Sequence, residues 1–191
     1  MVDQESKSII RLHLGCGRKF LKGFTHIDID SFPNIDFIAK MDELYMIEDN
    51  SVEIIYASHA LSYYDRNEVD KVLLEWKRIL IPGGTCFVSV PDLDALIEIY
   101  KLTGEASNVL GPIYGIWPNE LGEKFIQHKT IWNKKDMYKK LESLGFVNIR
   151  EFDAVSFLGA IDNEYDDYSL AYYPHLDRTG IKVSLCISFE S

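Results

Sequence analysis

The chain has 191 residues, 47% of them apolar, with 11 Tyr and 10 Phe, a composition that gives a folded domain with a sizeable core and excludes a disordered chain. Its formal net charge is −10; nucleic-acid binders set Lys and Arg against phosphates, and no basic stripe is present, so a DNA or RNA substrate is not expected. No apolar run approaches the ~20 residues that cross a bilayer, and the start MVDQESKS has neither the basic end nor the apolar centre of a secretory signal, so a cytoplasmic location without membrane attachment is expected.

Residues 9–14 form an apolar run that reads as a buried strand and ends in Gly15-Cys16-Gly17. A second strand over 25–29 ends in Ile27-Asp28-Ile29-Asp30. About ten residues lie between them, fewer than the dozen or more of a helical crossover. A helix after the glycines is therefore one turn long or absent, and Phe20 and Phe24 are expected to fold back over the sheet. The link 30–34 is also short, Pro33 cannot sit inside a strand, and a third short strand follows at 35–38.

Residues 40–50 are a polar connection, and 52–57 form a fourth strand closing on Ser58-His59. Asp65 with Glu68 three residues on opens a helix as a capping box. Val69, Val72, Leu73, Trp76, Ile79 and Leu80 then recur at helical spacing. Pro82-Gly83-Gly84 is expected as the turn that ends this helix, before a central fifth strand at 85–90. Pro91-Asp92 caps another helix, to about Leu102. Residues 104–130 lack periodicity and are broken by Gly111, Pro112, Gly115 and Pro118, which marks a lid or binding segment. An amphipathic helix at 133–144 stops at Gly145. Two more strands, 147–152 and 181–189, flank an acidic, tyrosine-rich insertion at 153–180. The expected architecture is α/β in a single domain over 1–191, with few helices early in the chain.

A strand ending in Gly-x-Gly beside a strand ending in a carboxylate suits a nucleoside cofactor. Ligands of open parallel sheets bind outside the carboxyl ends of the strands, and a carboxylate accepts hydrogen bonds from two ribose hydroxyls. A dinucleotide site wants a third glycine and a real helix for the pyrophosphate. Here Phe20 takes the glycine's position, and Asp28 stands 13 residues after Gly15, short of the usual spacing of about 20. S-adenosylmethionine carries a sulfonium and no phosphate, and these residues suit it better.

Leu12-His13-Leu14-Gly15-Cys16-Gly17, Ile27-Asp28-Ile29-Asp30, 49–59 (DNSVEIIYASH) and Leu80-Ile81-Pro82-Gly83-Gly84 together resemble successive motifs of class I S-adenosylmethionine-dependent methyltransferases, in particular short bacterial ones with an abbreviated first crossover. The resemblance runs over residues 9–152. It implies a Rossmann-like seven-stranded sheet of order 3-2-1-4-5-7-6 with the last strand antiparallel. It also implies Gly15, Cys16 and Gly17 under the methionine part, Asp28 on the ribose hydroxyls and Ile29 against adenine. Asp42 would meet the adenine amino group, and Ser58 and His59 would line the methionine side. Three positions depart from the pattern: Lys19 replaces the third glycine of Gly-x-Gly-x-Gly, His13 replaces an acidic residue, and Leu61-Ser62-Tyr63-Tyr64 replaces Leu-Glu-His. A His cannot accept from the cofactor's ammonium as a carboxylate does, unless carbonyls take over.

Methyl transfer is an in-line displacement that needs positioning, and an oxygen or nitrogen nucleophile needs a base near its proton. His128, beside the lid-like segment, is the first candidate base, followed by His59 and Asp92 at strand ends; each has a structural alternative, Asp92 as a helix cap. Residues 162–167 (DNEYDD) lack calcium-loop spacing and read as a solvated acidic loop, so no metal is expected. Cys16, Cys86 and Cys186 show no Cys-x-x-Cys pattern. Tyr114, Trp117, Tyr168, Tyr172 and Tyr173 could wall a substrate site or pack under loops. The reading reached is a methyltransferase acting on a small molecule, with a sugar or saccharide intermediate as the class the resemblance suggests. A non-catalytic relative that binds a nucleoside or a protein partner stays open beside it.

Overall fold

Three strands begin the fold: β1 (Ile10–Leu14), β2 (Thr25–Asp28) and β3 (Phe37–Ile38). The computed structural model describes residues 10–115, 117–118, 125–174 and 178–191. β1 is buried on both faces, with Leu12, His13 and Leu14 all inaccessible, as in a parallel sheet covered on each side. No helix joins β1 to β2. Leu21 and Phe24 turn inward to cover the sheet instead, whereas Phe20 stays 60% exposed and only stacks on the His26 ring at 4.7 Å. The expected inward turn therefore holds for Phe24 and fails for Phe20.

β4 (Val52–Ser58), α1 (Val69–Ile79) and β5 (Leu80–Pro91) follow. The capping box is formed: Glu68 Oε2 accepts from Asp65 N at 2.9 Å while Asp65 Oδ1 accepts from Glu68 N at 3.1 Å. Pro82-Gly83-Gly84 does not end the element. Leu80 already pairs with Val52, and Thr85 pairs with Ile54, so the three residues bulge out inside one long strand, with Gly83 at φ 78°. Pairing with β4 on both sides of the Pro-Gly-Gly holds the strand together across a sequence that locally favours a turn.

α2 (Leu93–Thr103) leads into the segment that showed no periodicity. That segment contains a helix, α3 (Ser107–Tyr114), with Pro112 near its end, and then the short antiparallel pair β6 (Trp117–Pro118) and β7 (Phe125–Ile126). Gly111 and Pro112 hide α3 in the sequence, but Val109 and Ile113 pack it on Leu96 and Ile99 of α2. The chain continues through α4 (Lys134–Ser143), β8 (Val147–Glu151), α5 (Ala154–Ile161) and β9 (Tyr172–Tyr173). The expected final strand splits in two: β10 (Ile181–Lys182) pairs with β9, and β11 (Ser184–Glu190) enters the main sheet.

The main sheet runs β3-β2-β1-β4-β5-β11-β8. Counting only its seven strands, this is the order 3-2-1-4-5-7-6, with β11 antiparallel to both neighbours. One face is covered by α1 and α4, through Val72, Trp76, Ile79, Met137 and Leu141. The other is covered around Tyr56 and Cys186 by Leu21, Phe24, Ala154 and Leu158, so α5 stands in for the missing first crossover helix. No described helix is long and apolar enough to cross a membrane.

Candidate active site

The parallel strands end on one edge of the sheet, and a cleft of about 1340 Å³ opens there, walled by the glycine turn, the ends of β2 and β4, and residues 126–129 and 165–168. Gly15 takes φ 60°, and a Cβ on it would stand 2.4 Å from the Ala60 Cβ, so only glycine lets β1 pass this close to the turn after β4. Gly15 N donates to Ile27 O at 2.8 Å, Gly17 N to Asp28 Oδ2 at 2.8 Å, and Asp30 N to Asp28 Oδ1 at 3.1 Å. Asp28 thus ties the glycine turn to the end of β2, and burial raises its carboxyl above the ordinary value. A carboxylate has about four lone-pair sites, so these bonds leave acceptors for a ligand hydroxyl.

Ile29 is half exposed in the same wall, and Asp42 lies in it with Oδ1 buried and unpartnered. A buried acceptor without a donor is costly; a ligand amino group would satisfy it. Burial pushes the Cys16 thiol up to about 12, so it is no thiolate. The N–H groups of Gly15, Gly17 and Lys19 are all bonded within the protein, and no helix starts at the turn. Both features of a pyrophosphate cradle are therefore missing. The residues fit a nucleoside without phosphate.

The opposite end of the cleft holds Ser58, His59, Tyr63, His128 and Tyr168. Ser89 Oγ bonds Ser58 Oγ at 3.1 Å. Ser184 Oγ donates to Tyr168 O at 2.6 Å, so at 2.7 Å from His59 Nε2 it can only accept. His59 therefore carries its proton on Nε2 and is neutral, its pKa lowered to about 3 by burial and then by His128. His128 is fixed the other way. Its Nδ1 lies 2.9 Å from Pro112 O and must donate, which leaves a lone pair on Nε2, and that atom is buried with no partner. Burial holds the His128 pKa below the usual value.

Three contacts set this ring in place. It stands edge-on to Tyr63 at 4.6 Å, Tyr63 OH donates to Gly115 O at 2.7 Å, and Lys129 N donates to Ser62 O at 2.7 Å. A Cβ on Gly115 would come within 2.3 Å of the imidazole, so the glycine makes room for it.

Eight of the expected site residues other than Asp92 can be followed to one cleft: Gly15, Cys16, Gly17, Asp28, Ile29, Asp42, Ser58 and His59, joined there by His128. Asp92 is elsewhere. It caps α2, accepting from Asp94 N at 3.0 Å, and does not line the cleft, because β5 continues to Pro91, two residues beyond its last pair with β4 at Ser89, before the helix begins. The 162–167 loop is not wholly solvated either, since Tyr165 and Asp167 are buried and line the cleft. Sequence reading also missed Tyr56, whose hydroxyl lies 2.6 Å from Asp167 Oδ2. The doubled Asp166-Asp167 beside an apolar Leu170 was the one available signal. Of the candidate aromatic wall, Tyr168 lines the cleft, Tyr114 is exposed and Tyr173 packs near β10; the Trp117 side chain lies outside the described residues. Among the described residues, no three His, Cys, Asp or Glu side chains gather as metal ligands would.

A family model described as a methyltransferase domain matches residues 18–88. Solved structures share the fold over nearly the whole chain. A SAM-dependent methyltransferase from Archaeoglobus fulgidus is 14% identical, covering 97% of this chain and 87% of its own, with a TM-score of 0.56. One from Methanosarcina mazei is 16% identical, covering 97% and 93%, at 0.55. The chain has the fold of class I methyltransferases. A third structure similar to this chain is the 1,6-didemethyltoxoflavin-N1-methyltransferase of Burkholderia thailandensis with 1,6-didemethyltoxoflavin and S-adenosylhomocysteine bound, 12% identical, covering 96% and 72%, at a TM-score of 0.54. No curated protein matches the chain significantly.

Proposed function

We propose that the protein transfers a methyl group from S-adenosylmethionine to an oxygen or nitrogen atom of a small molecule, with a sugar or saccharide intermediate as the acceptor class. When bound, the cofactor supplies an electrophilic methyl carbon on a sulfonium. Gly15 lets the backbone approach it, Asp28 offers acceptors to the ribose, Ile29 covers one face of the base, and Asp42 Oδ1 accepts from the adenine amino group.

The observation that carries the reaction is the His128 tautomer. Nδ1 donates to Pro112 O, so the lone pair is on Nε2, buried beside Gly115 in the cleft wall; with the acceptor bound against it, this atom would take a proton from a hydroxyl or amine as the bond forms. Burial keeps that imidazole unprotonated at neutral pH. His59 holds Ser184 and positions the wall rather than acting as the base, because its Nε2 proton is committed. Calorimetric titration with S-adenosylmethionine, S-adenosylhomocysteine and NAD tests the cofactor. Binding of the first two without NAD is expected, and no heat at millimolar S-adenosylhomocysteine would remove the reading. Labelled cofactor presented with a panel of sugars and small amines then tests the acceptor class.

A further inference from the structure

We infer that Asp167, carried on the segment between α5 and β9, is the acceptor for the ammonium group of the cofactor's methionine part. This rests on the S-adenosylmethionine reading above. An ammonium taken into a cleft needs acceptors, best a carboxylate. The residue two before the first glycine is His13, which supplies no negative charge: it is buried, and its pKa is lowered to about 3 by burial and then by His26, so it is neutral and cannot balance a cation.

The fold brings a carboxylate to that spot from far along the chain. In the β1–β4 register His13 pairs with Tyr56, and the Tyr56 hydroxyl lies 2.6 Å from Asp167 Oδ2. Tyr165 OH lies 3.5 Å from His13 Nε2 and also bonds Asp167. Asp167 Oδ1 accepts from Ser169 N at 2.8 Å, which fixes the carboxyl in one orientation. All these partners are neutral, so the negative charge is hydrogen-bonded but not balanced by them.

Two further observations point the same way. His13 is part of the cleft wall, and its Nδ1 is buried and unpartnered, so this end has a polar atom left unsatisfied. The other carboxylates of the wall stand apart from it: Asp28 and Asp30 at the end of β2, Asp42 after β3, and Glu68 at the start of α1. Asp167 is the one tied through Tyr56 and Tyr165 to the ends of β4 and β1.

Calorimetry on the full chain separates this role from a structural one. Asp167→Asn keeps the shape and loses the charge. It should weaken S-adenosylhomocysteine, which has the amine, by about 10- to 100-fold, the range for a hydrogen bond to a charged group. Binding of 5′-methylthioadenosine, which lacks the amino-acid part, should stay within about twofold on the same scale. Equal losses for both ligands, or no loss for either, would overturn the inference. If the variant does not fold, a crystal structure of the unaltered protein with S-adenosylhomocysteine decides: an amine nitrogen in hydrogen-bond distance of the Asp167 carboxyl supports it, and an amine held by backbone carbonyls or solvent overturns it. Unaltered protein that binds methylthioadenosine and S-adenosylhomocysteine with unchanged Asp167→Asn affinity would sink this inference alone. Unaltered protein that binds neither would sink the cofactor reading and this inference with it.

Discussion

The two ends of the cleft are built in opposite ways. On the nucleoside side the polar ties are short in sequence: Gly17 to Asp28 spans 11 residues, and Asp30 to Asp28 spans two. At the acceptor end Tyr63 reaches Gly115 over 52 residues, Tyr56 reaches Ser169 over 113, His59 reaches Ser184 over 125, and Tyr165 reaches His13 over 152. A local constellation keeps its geometry as long as β1, β2 and the turn between them form. The distant one exists only when the whole sheet is closed. The division teaches where each part of this cleft is set: the proposed cofactor side in nearby residues, the proposed acceptor side in the assembled fold.

That division can be broken by experiment, most sharply at His128. His128→Asn should lower kcat by about 100- to 10,000-fold, the scale of general base catalysis, and leave the S-adenosylhomocysteine dissociation constant within about twofold. Turnover is read with an acceptor found by labelled-cofactor screening, and affinity by calorimetry. A parallel loss of affinity would mean that the two ends are not separable.

A second test uses acid. His13, on β1, and His59, just after β4, both have pKa values lowered to about 3 in the folded protein, against about 6.5 unfolded. Below 6.5 the unfolded chain takes up their protons first, so stability falls as the pH drops from 6.5 toward 3. The raised carboxyls of Asp28 and Asp92 act against this, since they protonate more readily folded than unfolded. Urea unfolding should therefore show a net loss on the order of 2–4 kcal/mol between about pH 7 and about pH 5. His13→Asn should remove about half of the slope that the two imidazoles contribute. A flat profile in the unaltered protein would show that neither ring is buried neutral.

Smaller effects sharpen the picture. Asp28→Ala should weaken S-adenosylhomocysteine by roughly 1–3 kcal/mol, because hydrogen bonds to a charged acceptor are lost. It should also lower stability, since the Gly17 and Asp30 N–H groups lose their partner. An unchanged dissociation constant in the folded variant would remove Asp28 from the ribose. Asp92→Ala is expected to cost only about 1 kcal/mol of stability, the value of an N-cap. Cofactor affinity and turnover should hold, because Asp92 caps α2 outside the cleft; a large drop in turnover would return it to the site.

Period and spacing made β1, β2, β4, α1 and α4 legible, since each is an apolar run or helical stripe whose burial does not depend on distant detail; the sheet order was implied by the family resemblance alone. Local turn chemistry misled at Pro82-Gly83-Gly84, where pairing of Leu80 with Val52 overrides it. It hid α3 behind Gly111 and Pro112. In the site, Gly15, Asp28 and Asp42 could be named because a motif carries them, whereas Asp167 could not, because an acidic loop looks solvated until Tyr56 and Tyr165 are folded against it.

The sequence by itself determined the frame of the proposed nucleoside site: two glycines, a nearby carboxylate and no room for a helix are all properties of residues 9–30. Only the tertiary structure decided the protonation and partners of His13, His59 and His128. An imidazole's proton goes where its neighbours accept it, and here those neighbours are Pro112, Ser184 and Tyr165, brought in from elsewhere in the chain.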